Sequence, residues 1–186
     1  MATQDRRIRK TRAVLKDSLL SLMKEKNVKN ITVKELCERA DINRGTFYLH
    51  YKDIFDMLEQ IETEFFSEFT DIIDNYGKEL QKSRLYILEN IFALTKKHKD
   101  FCLVLLSSRG DIGFIKKLLS RIHKIFVEVY GDEGIAAEYY FSFIIYGCIG
   151  VVENWLQGGA KESSQEIARL TENIILNGIK EYIKHK

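Results

Sequence analysis

Hydrogen-bonding side chains are concentrated in one short segment of this sequence, residues 44–52. Within it only Phe47, followed four residues later by Tyr51, has the spacing of a buried helical face. Gly45 lowers helix propensity there, but it lets the backbone come close to another molecule. Arg44 can donate two parallel hydrogen bonds to a planar acceptor such as guanine. The segment is therefore better suited to bind a polar partner than to fill a core.

Two short helices joined by a tight turn are predicted to position this segment. Thr32 and Glu35 have the spacing of a capping box, in which the threonine oxygen accepts a backbone N–H and the glutamate reaches back to the cap. The turn at residues 41–43 ends with Asn43, a good N-cap for a second helix. The buried face of the first helix is expected to contain Val33, Leu36, Cys37 and Ala40. Residues 31–50 are thus predicted to form a helix-turn-helix.

In helix-turn-helix proteins, the first residues of the second helix contact base edges in the major groove of DNA. We therefore expect Arg44 and Thr46 to read bases, and Leu49 to contact a thymine methyl group. The remaining candidates are expected to bind phosphates or to bring backbone N–H groups near them: Thr32, Lys34, Asn43, Gly45, Tyr48, His50 and Lys52.

The run TVKELCERADINRGTFYLHY, residues 32–51, resembles the DNA-binding signature of the tetracycline-repressor (TetR) family. A weaker resemblance extends over residues 6–61. Asp41 replaces the family's usual glycine in a turn conformation that aspartate can adopt. Ile54 stands where many members carry a phosphate-contacting lysine, a role that Lys52 can take. The resemblance implies a dimeric transcriptional regulator, usually a repressor, that a small-molecule ligand releases from a palindromic operator.

Positive charge is concentrated at the N-terminal end of the chain. The formal net charge is only +2, but six cations fall within residues 6–16: Arg6, Arg7, Arg9, Lys10, Arg12 and Lys16. This cluster is expected to cross the DNA backbone, with a solvated helix face as the alternative. At 186 residues, 45% of them hydrophobic, the chain is long enough to bury a substantial core.

No residue pattern indicates catalysis, so we expect neither enzyme activity nor a cofactor or metal. The histidines stand outside any zinc-protease motif: His50, His98, His123 and His185. His98 and Cys102 are four residues apart but lack a third ligand nearby. Three scattered cysteines indicate a reducing, cytoplasmic compartment. The longest uncharged run, residues 139–152, is too short to span a membrane.

The hydrophobic periodicity and the lack of proline predict an all-α fold of about nine helices. A three-helix head, residues 1–52, starts with a helix over residues 7–26 whose core face includes Ile8. A connecting helix over residues 53–76, capped by Asp53, is expected to bury Phe55 and Ile72. The ligand-binding and dimerisation region, residues 77–186, contains five more helices, near residues 83–97, 99–107, 111–130, 132–157 and 164–184. Asp111, Asp132 and Ser163 are the expected caps.

The last two predicted helices are expected to form a homodimer interface. Apolar residues surround the helix over residues 139–156, which the edge of a monomer cannot bury, and Gly147 and Gly150 permit close helix approach. A monomer core is the alternative. Residues 143–159 also resemble the C-terminal region of a TetR subgroup from low-GC Gram-positive bacteria.

The family resemblance further implies a ligand pocket in the C-terminal region, whose occupancy separates two DNA-binding heads. The residues suited to line it are Tyr86, His98, Phe101, Arg109, His123, Phe143 and Tyr146. An ordinary core position explains the aromatic residues as well. Two alternatives stay open: a regulator controlled by a protein partner without a small molecule, and a helical ligand-binding or protein-interaction module that no longer binds DNA.

Overall fold

The computed structural model describes residues 2–78, 84–130 and 134–178, and within these ranges the chain forms nine α-helices, one 3-10 helix (Val28–Asn30) and no strand. The α-helices are α1 (Ala2–Glu25), α2 (Val33–Ala40), α3 (Arg44–Tyr48), α4 (Ile54–Lys78), α5 (Arg84–Lys97), α6 (Lys99–Leu105), α7 (Ile112–Tyr130), α8 (Ile135–Gln157) and α9 (Ser164–Asn177). The predicted all-α fold of about nine helices is confirmed. Asp132, His185 and the end of the predicted last helix lie outside the described residues. None of the described helices has both the length and the apolar character that crossing a membrane requires.

The chain groups into two compact units. The N-terminal unit comprises residues up to Phe65 and the segment Asp100–Asp111, which holds most of α6. The C-terminal unit comprises Phe66–Lys99 and the residues from Ile112 onward. Helix α4 therefore contributes its first half to one unit and its second half to the other.

Helix α6 packs within the N-terminal unit. The ring of Phe101 lies 5.2 Å from that of Phe65, and Lys24 Nζ lies 2.5 Å from the Asp100 carboxylate. Arg109 donates a hydrogen bond of 2.7 Å to the Lys24 carbonyl, one of the last carbonyls of α1, which lack partners within the helix. Phe101 and Arg109, both expected to line a ligand pocket, thus have packing and capping contacts here that no local sequence signal predicts.

An apolar core holds the first four helices together. Helix α1 contributes Leu15, Leu19 and Leu22, and α2 and α3 contribute Leu36 and Phe47, all of them completely inaccessible to solvent. Full burial of such a side chain stabilises the fold by roughly 1.5–3 kcal/mol. These contacts fix the two short helices, which are too short to be stable alone.

Four positions expected on a core face are not buried, among them Val33 of α2, which is half-buried. Ile8 is 39% exposed because it precedes Leu15, the first buried residue of α1, and Phe55 is 54% exposed. Each residue rotates a helix by about 100°, so Phe55 points away from the buried stripe that begins at its neighbour Ile54. Ile72 is half-buried. The stripe that α4 buries consists of Ile54, Met57, Leu58, Ile61, Phe65, Phe69 and Ile73.

Side-chain caps begin α2, α3, α4 and α9 at the predicted places, whereas α8 begins after Gly134 without a side-chain cap. Thr32 Oγ1 accepts the Glu35 N–H at 3.2 Å, but the predicted return bond from Glu35 is replaced by an ion pair, in which its carboxylate accepts from Lys26 Nζ at 2.6 Å. Ser163 and Glu166 form both halves of a capping box at α9, as predicted. At α2, the nearby Lys26 explains why Glu35 does not bond back to the cap as Glu166 does at α9, since a carboxylate prefers a charged donor.

Asp41 ends α2 in the left-handed conformation, at φ 52° and ψ 46°. We expect Asp41→Gly to raise the free energy of unfolding by about 0.5–1 kcal/mol, because glycine has no Cβ to strain this conformation. Asp41→Ala should lower it, because alanine has no polar side chain to favour the left-handed region. Denaturant unfolding should give the order glycine, aspartate, alanine. An alanine variant as stable as the glycine variant would show that the turn stores no strain.

The C-terminal unit has its core where α5, α8 and α9 meet. Phe92 of α5 packs edge to face on Trp155 of α8, with ring centroids 5.5 Å apart. Leu156, Ile167 and Ala168 are also buried. Helix α8 before this point is different, because none of residues 136–154 is buried in the single chain. Helix α7 covers part of this stretch, where Phe141 packs on His123 and Phe126, and the exposed apolar residues of α8 lie outside these contacts.

Candidate nucleic-acid interface

Helix α3 is held from one side. Phe47 is fully buried, Tyr51 is 5% exposed, and their ring centroids lie 5.6 Å apart. The Asn43 side-chain oxygen caps the helix by accepting the Gly45 N–H at 2.7 Å. A Cβ at Gly45 would come within 3.2 Å of that oxygen, so the residue's small size supports the cap as well as an approach by another molecule.

The opposite face of α3 and the residue after it are exposed. Arg44 is exposed and makes no hydrogen bond or ion pair with any residue that the structure describes. Tyr48 is 58% exposed and Leu49 80%, while Thr46 and His50 are half-buried. An exposed arginine without a hydrogen bond or ion pair to the described residues contributes little to folding, and neither does an exposed leucine. Together they offer hydrogen-bond donors and an apolar contact to a partner.

Two lysines of the motif are also exposed. Lys34 Nζ lies 3.9 Å from Glu38 Oε1, and since both side chains are about two-thirds exposed, this pair contributes little to stability. The Lys52 N–H donates to the Asp56 carboxylate at 2.7 Å, and this bond is the main cause of the lowered pKa of Asp56. The ammonium groups of both lysines can therefore reach an external phosphate.

The cation cluster of α1 divides into two groups. Four members are exposed: Arg6, Arg7, Arg9 and Lys10. Arg12 Nη2 and Lys16 Nζ each lie 3.7 Å from a carboxylate oxygen of Glu64 on α4. Arg12 and Lys16 thus differ from these four in facing a carboxylate of α4, while the expectation that the cluster crosses the DNA backbone stays a prediction.

The pocket candidates of the C-terminal unit are used in other contacts or stand at the surface. His98 Nε2 lies 3.1 Å from Glu68, and His123 Nε2 lies 3.0 Å from Glu138. Three aromatic candidates are exposed: Tyr86, Phe143 and Tyr146. Exposed aromatic residues on α8 fit an interface better than an enclosed cavity. They do not by themselves define a ligand site.

Metal binding and thiol chemistry find little support in the described residues. No group of three or more histidine, cysteine, aspartate or glutamate side chains there is arranged to hold a metal ion. Burial raises the pKa of the Cys102 thiol to about 12 and that of Cys148 to about 11. Both thiols are therefore protonated, and poorly nucleophilic, at neutral pH.

Gln60 and Glu64 of α4, which contact Arg12, were not among the residues predicted from the sequence. Together with Asp56 they occupy every fourth position of the helix, which places the three on one face. That spacing was the available signal. The role of this face could not be predicted from the spacing alone, because it depends on a contact with Arg12 of α1, which is distant in sequence.

Helices α2 and α3, joined by a tight turn and with one face of α3 exposed, form a helix-turn-helix in the N-terminal unit. Residues 17–61 match the model described as "Bacterial regulatory proteins, tetR family". Residues 82–177, more than half of the chain, match a TetR-type model described as "Transcriptional regulator C-terminal region". The chain belongs to the TetR family of transcriptional regulators.

Individual relatives agree with this assignment. The chain is 25% identical over 170 residues to the "Uncharacterized HTH-type transcriptional regulator YxbF" of Bacillus subtilis (strain 168), and the match covers 84% of this chain but 42% of that protein. The chain thus spans less than half the length of this curated relative.

Solved structures share the fold at low sequence identity. The fatty acid degradation regulator FadR from Bacillus halodurans has a TM-score of 0.67 at 16% identity, over 91% of this chain and 96% of that one. FadR from Bacillus subtilis, in complex with stearoyl-CoA, has a TM-score of 0.64 at 17% identity, over 90% of this chain and 98% of that one.

Proposed function

We propose that this protein is a cytoplasmic transcriptional regulator that binds a specific double-stranded DNA sequence as a homodimer. The observation that carries the proposal is the exposed face of α3, where Arg44 has no partner within the described protein. Arg44 and Thr46 read base edges in the major groove. Leu49, 80% exposed, contacts a thymine methyl group.

Phosphate contacts surround these base contacts in the proposal. They come from the side chains or backbone of Thr32, Lys34, Asn43, Gly45, Tyr48, His50 and Lys52. Such contacts orient the protein on DNA without reading sequence. If each subunit neutralises about five phosphates, the dimer neutralises about ten.

The proposed dimer interface is formed by α8 and α9. Tyr139, Phe143 and Tyr146 are each more than 60% exposed in the single chain, and their spacing of three and four residues places them on one face of α8. A Cβ at Gly147 or Gly150 would meet no atom within 4 Å. Exposed apolar residues on α9 extend the surface: Leu170, Ile174 and Leu176. A second copy related by a two-fold axis would cover it.

Selection of binding sites from a pool of random duplexes tests the DNA-binding proposal. We expect enrichment of two inverted half-sites whose centres lie about one helical turn, or roughly 10 base pairs, or a multiple of it apart. Enrichment of a lone half-site would contradict dimeric binding. A pool without any enriched sequence would contradict sequence-specific binding.

We also propose a small-molecule effector for the C-terminal unit. FadR from Bacillus subtilis is in complex with stearoyl-CoA, so a long-chain acyl-CoA is the first probe. The protein's only tryptophan, Trp155, is buried in this unit against Phe92. Titration with stearoyl-CoA should change the Trp155 fluorescence and release DNA. If both signals stay constant, acyl-CoA is not the effector, and another ligand or a protein partner fills this role.

A further inference from the structure

Arg12 connects α1 to the end of the recognition helix. Its Nε donates to the Tyr51 hydroxyl at 3.2 Å, and its Nη2 donates to Gln60 Oε1 at 2.9 Å. The guanidinium also lies 5.6 Å from the centre of the Tyr51 ring and 3.7 Å from Glu64. The bond to Tyr51 is the main cause of a raised Arg12 pKa. Arg12 thus uses its donors inside the N-terminal unit.

The hydrogen-bonded network continues to the turn between α3 and α4. Gln60 Nε2 donates to one Asp56 oxygen at 3.3 Å, and the other Asp56 oxygen accepts the Lys52 N–H at 2.7 Å. Asp53 caps the same helix by accepting the Asp56 N–H at 2.8 Å. The turn that follows the recognition helix is therefore tied, through one face of α4, to Arg12.

Tyr51 passes this restraint to α3. Its N–H donates to the Phe47 carbonyl at 3.0 Å, and its ring packs on that of Phe47. Helix α3 has only five residues, too few to hold its own geometry in water. Its orientation must come from such contacts.

We propose that Arg12 is a positioning residue for DNA recognition: it sets the orientation of α3 through Tyr51 and Gln60 rather than by neutralising a DNA phosphate. This inference rests on the proposed DNA-binding function. The guanidinium fork is essential because it reaches two acceptors at once, which a lysine ammonium at the same position cannot do with the same geometry.

The test compares the DNA affinity of four single variants and one double variant across a salt series. Arg12→Ala and Arg12→Lys should each weaken binding about tenfold, the loss of roughly one or two hydrogen bonds, with the salt slope unchanged. Tyr51→Phe keeps the ring and should weaken binding less; combined with Arg12→Ala it should add nothing, because both changes break the same link. Arg7→Ala is the matched control, an exposed cation whose loss from both subunits should reduce the slope by about 1.8 if each copy contacts a phosphate.

Rescue by Arg12→Lys or a slope that falls with Arg12→Ala would overturn the proposal, since each marks a direct charge contact. Additive effects with Tyr51→Phe would overturn it too, because they would show that the two residues act independently. Hydrogen exchange of the free protein gives a reading that needs no DNA. Arg12→Ala should speed exchange of the Tyr51 and Lys52 N–H groups, while Arg7→Ala leaves them unchanged. If the unmodified protein ignores all DNA, the proposed function fails, and unchanged exchange would separately refute the Arg12 link.

Discussion

Replacing Arg44 by alanine is expected to cost about 1–3 kcal/mol of binding free energy at each half-site of the preferred DNA, a loss of roughly 5- to 150-fold per half-site, and to relax discrimination at the base pair it reads. The side chain is exposed and makes no hydrogen bond or ion pair with other described residues. Its removal should therefore leave the thermal stability unchanged. The loss in affinity can then be assigned to the DNA contact, not to unfolding. Titration of the selected duplex and of all single-base variants measures the loss in affinity and the loss in base discrimination.

Lys52→Ala is the matched control for Arg44→Ala. Lys52 is also exposed, but it is assigned to a phosphate, so its loss from both subunits should weaken binding to every duplex alike and lower the salt slope by about two. Full base discrimination after the Arg44 change would contradict the base-reading assignment. Loss of base discrimination in both variants would show that Lys52 does more than bind a phosphate, and that base reading is not specific to Arg44.

Replacing Tyr146 by glutamate is expected to convert the dimer to monomers. Tyr146 is 64% exposed in the single chain, and a two-fold interface would bury two copies of the new carboxylate without cationic partners. Such burial costs several kcal/mol, so the dimer should weaken by at least about 100-fold. DNA binding should fall with it, because two linked half-site contacts become separate events. Sedimentation velocity across a range of protein concentrations measures the change.

Ile112→Glu provides the comparison for the interface prediction. Ile112 is 68% exposed and begins α7 in the same unit, but it lies outside the proposed interface. This variant should remain dimeric. A dimer that survives Tyr146→Glu, or that is lost in Ile112→Glu, would place the contact on another surface.

The helix-turn-helix could be predicted from local chemistry. The caps at Thr32 and Asn43 and the left-handed residue Asp41 involve neighbours within four positions, so their residue types suffice to identify them. The burial of Phe47 between polar neighbours followed from helical periodicity in the same way. This is why the motif could be located before any tertiary contact was known.

Long-range contacts account for what the sequence did not predict. Arg12 looked like another DNA-facing cation until α4 brought Gln60 and Glu64 against it. Phe55 was assigned to the core because, at the start of a helix, the buried stripe can begin at either of two neighbouring apolar residues. Only the packing of the helix decides which of the two is buried. Arg109 resembled a ligand anchor, whereas its contact with the Lys24 carbonyl depends on where α6 packs.

The most direct test of the account is the affinity of the purified protein for its selected duplex and for a scrambled duplex of equal composition, measured from about 50 to 200 mM salt. We expect two protomers per selected site, strong preference for that site, and a slope of log K against log salt of about −9. Equal affinity for the two duplexes, or one protomer per site with a slope about half as steep, would contradict it.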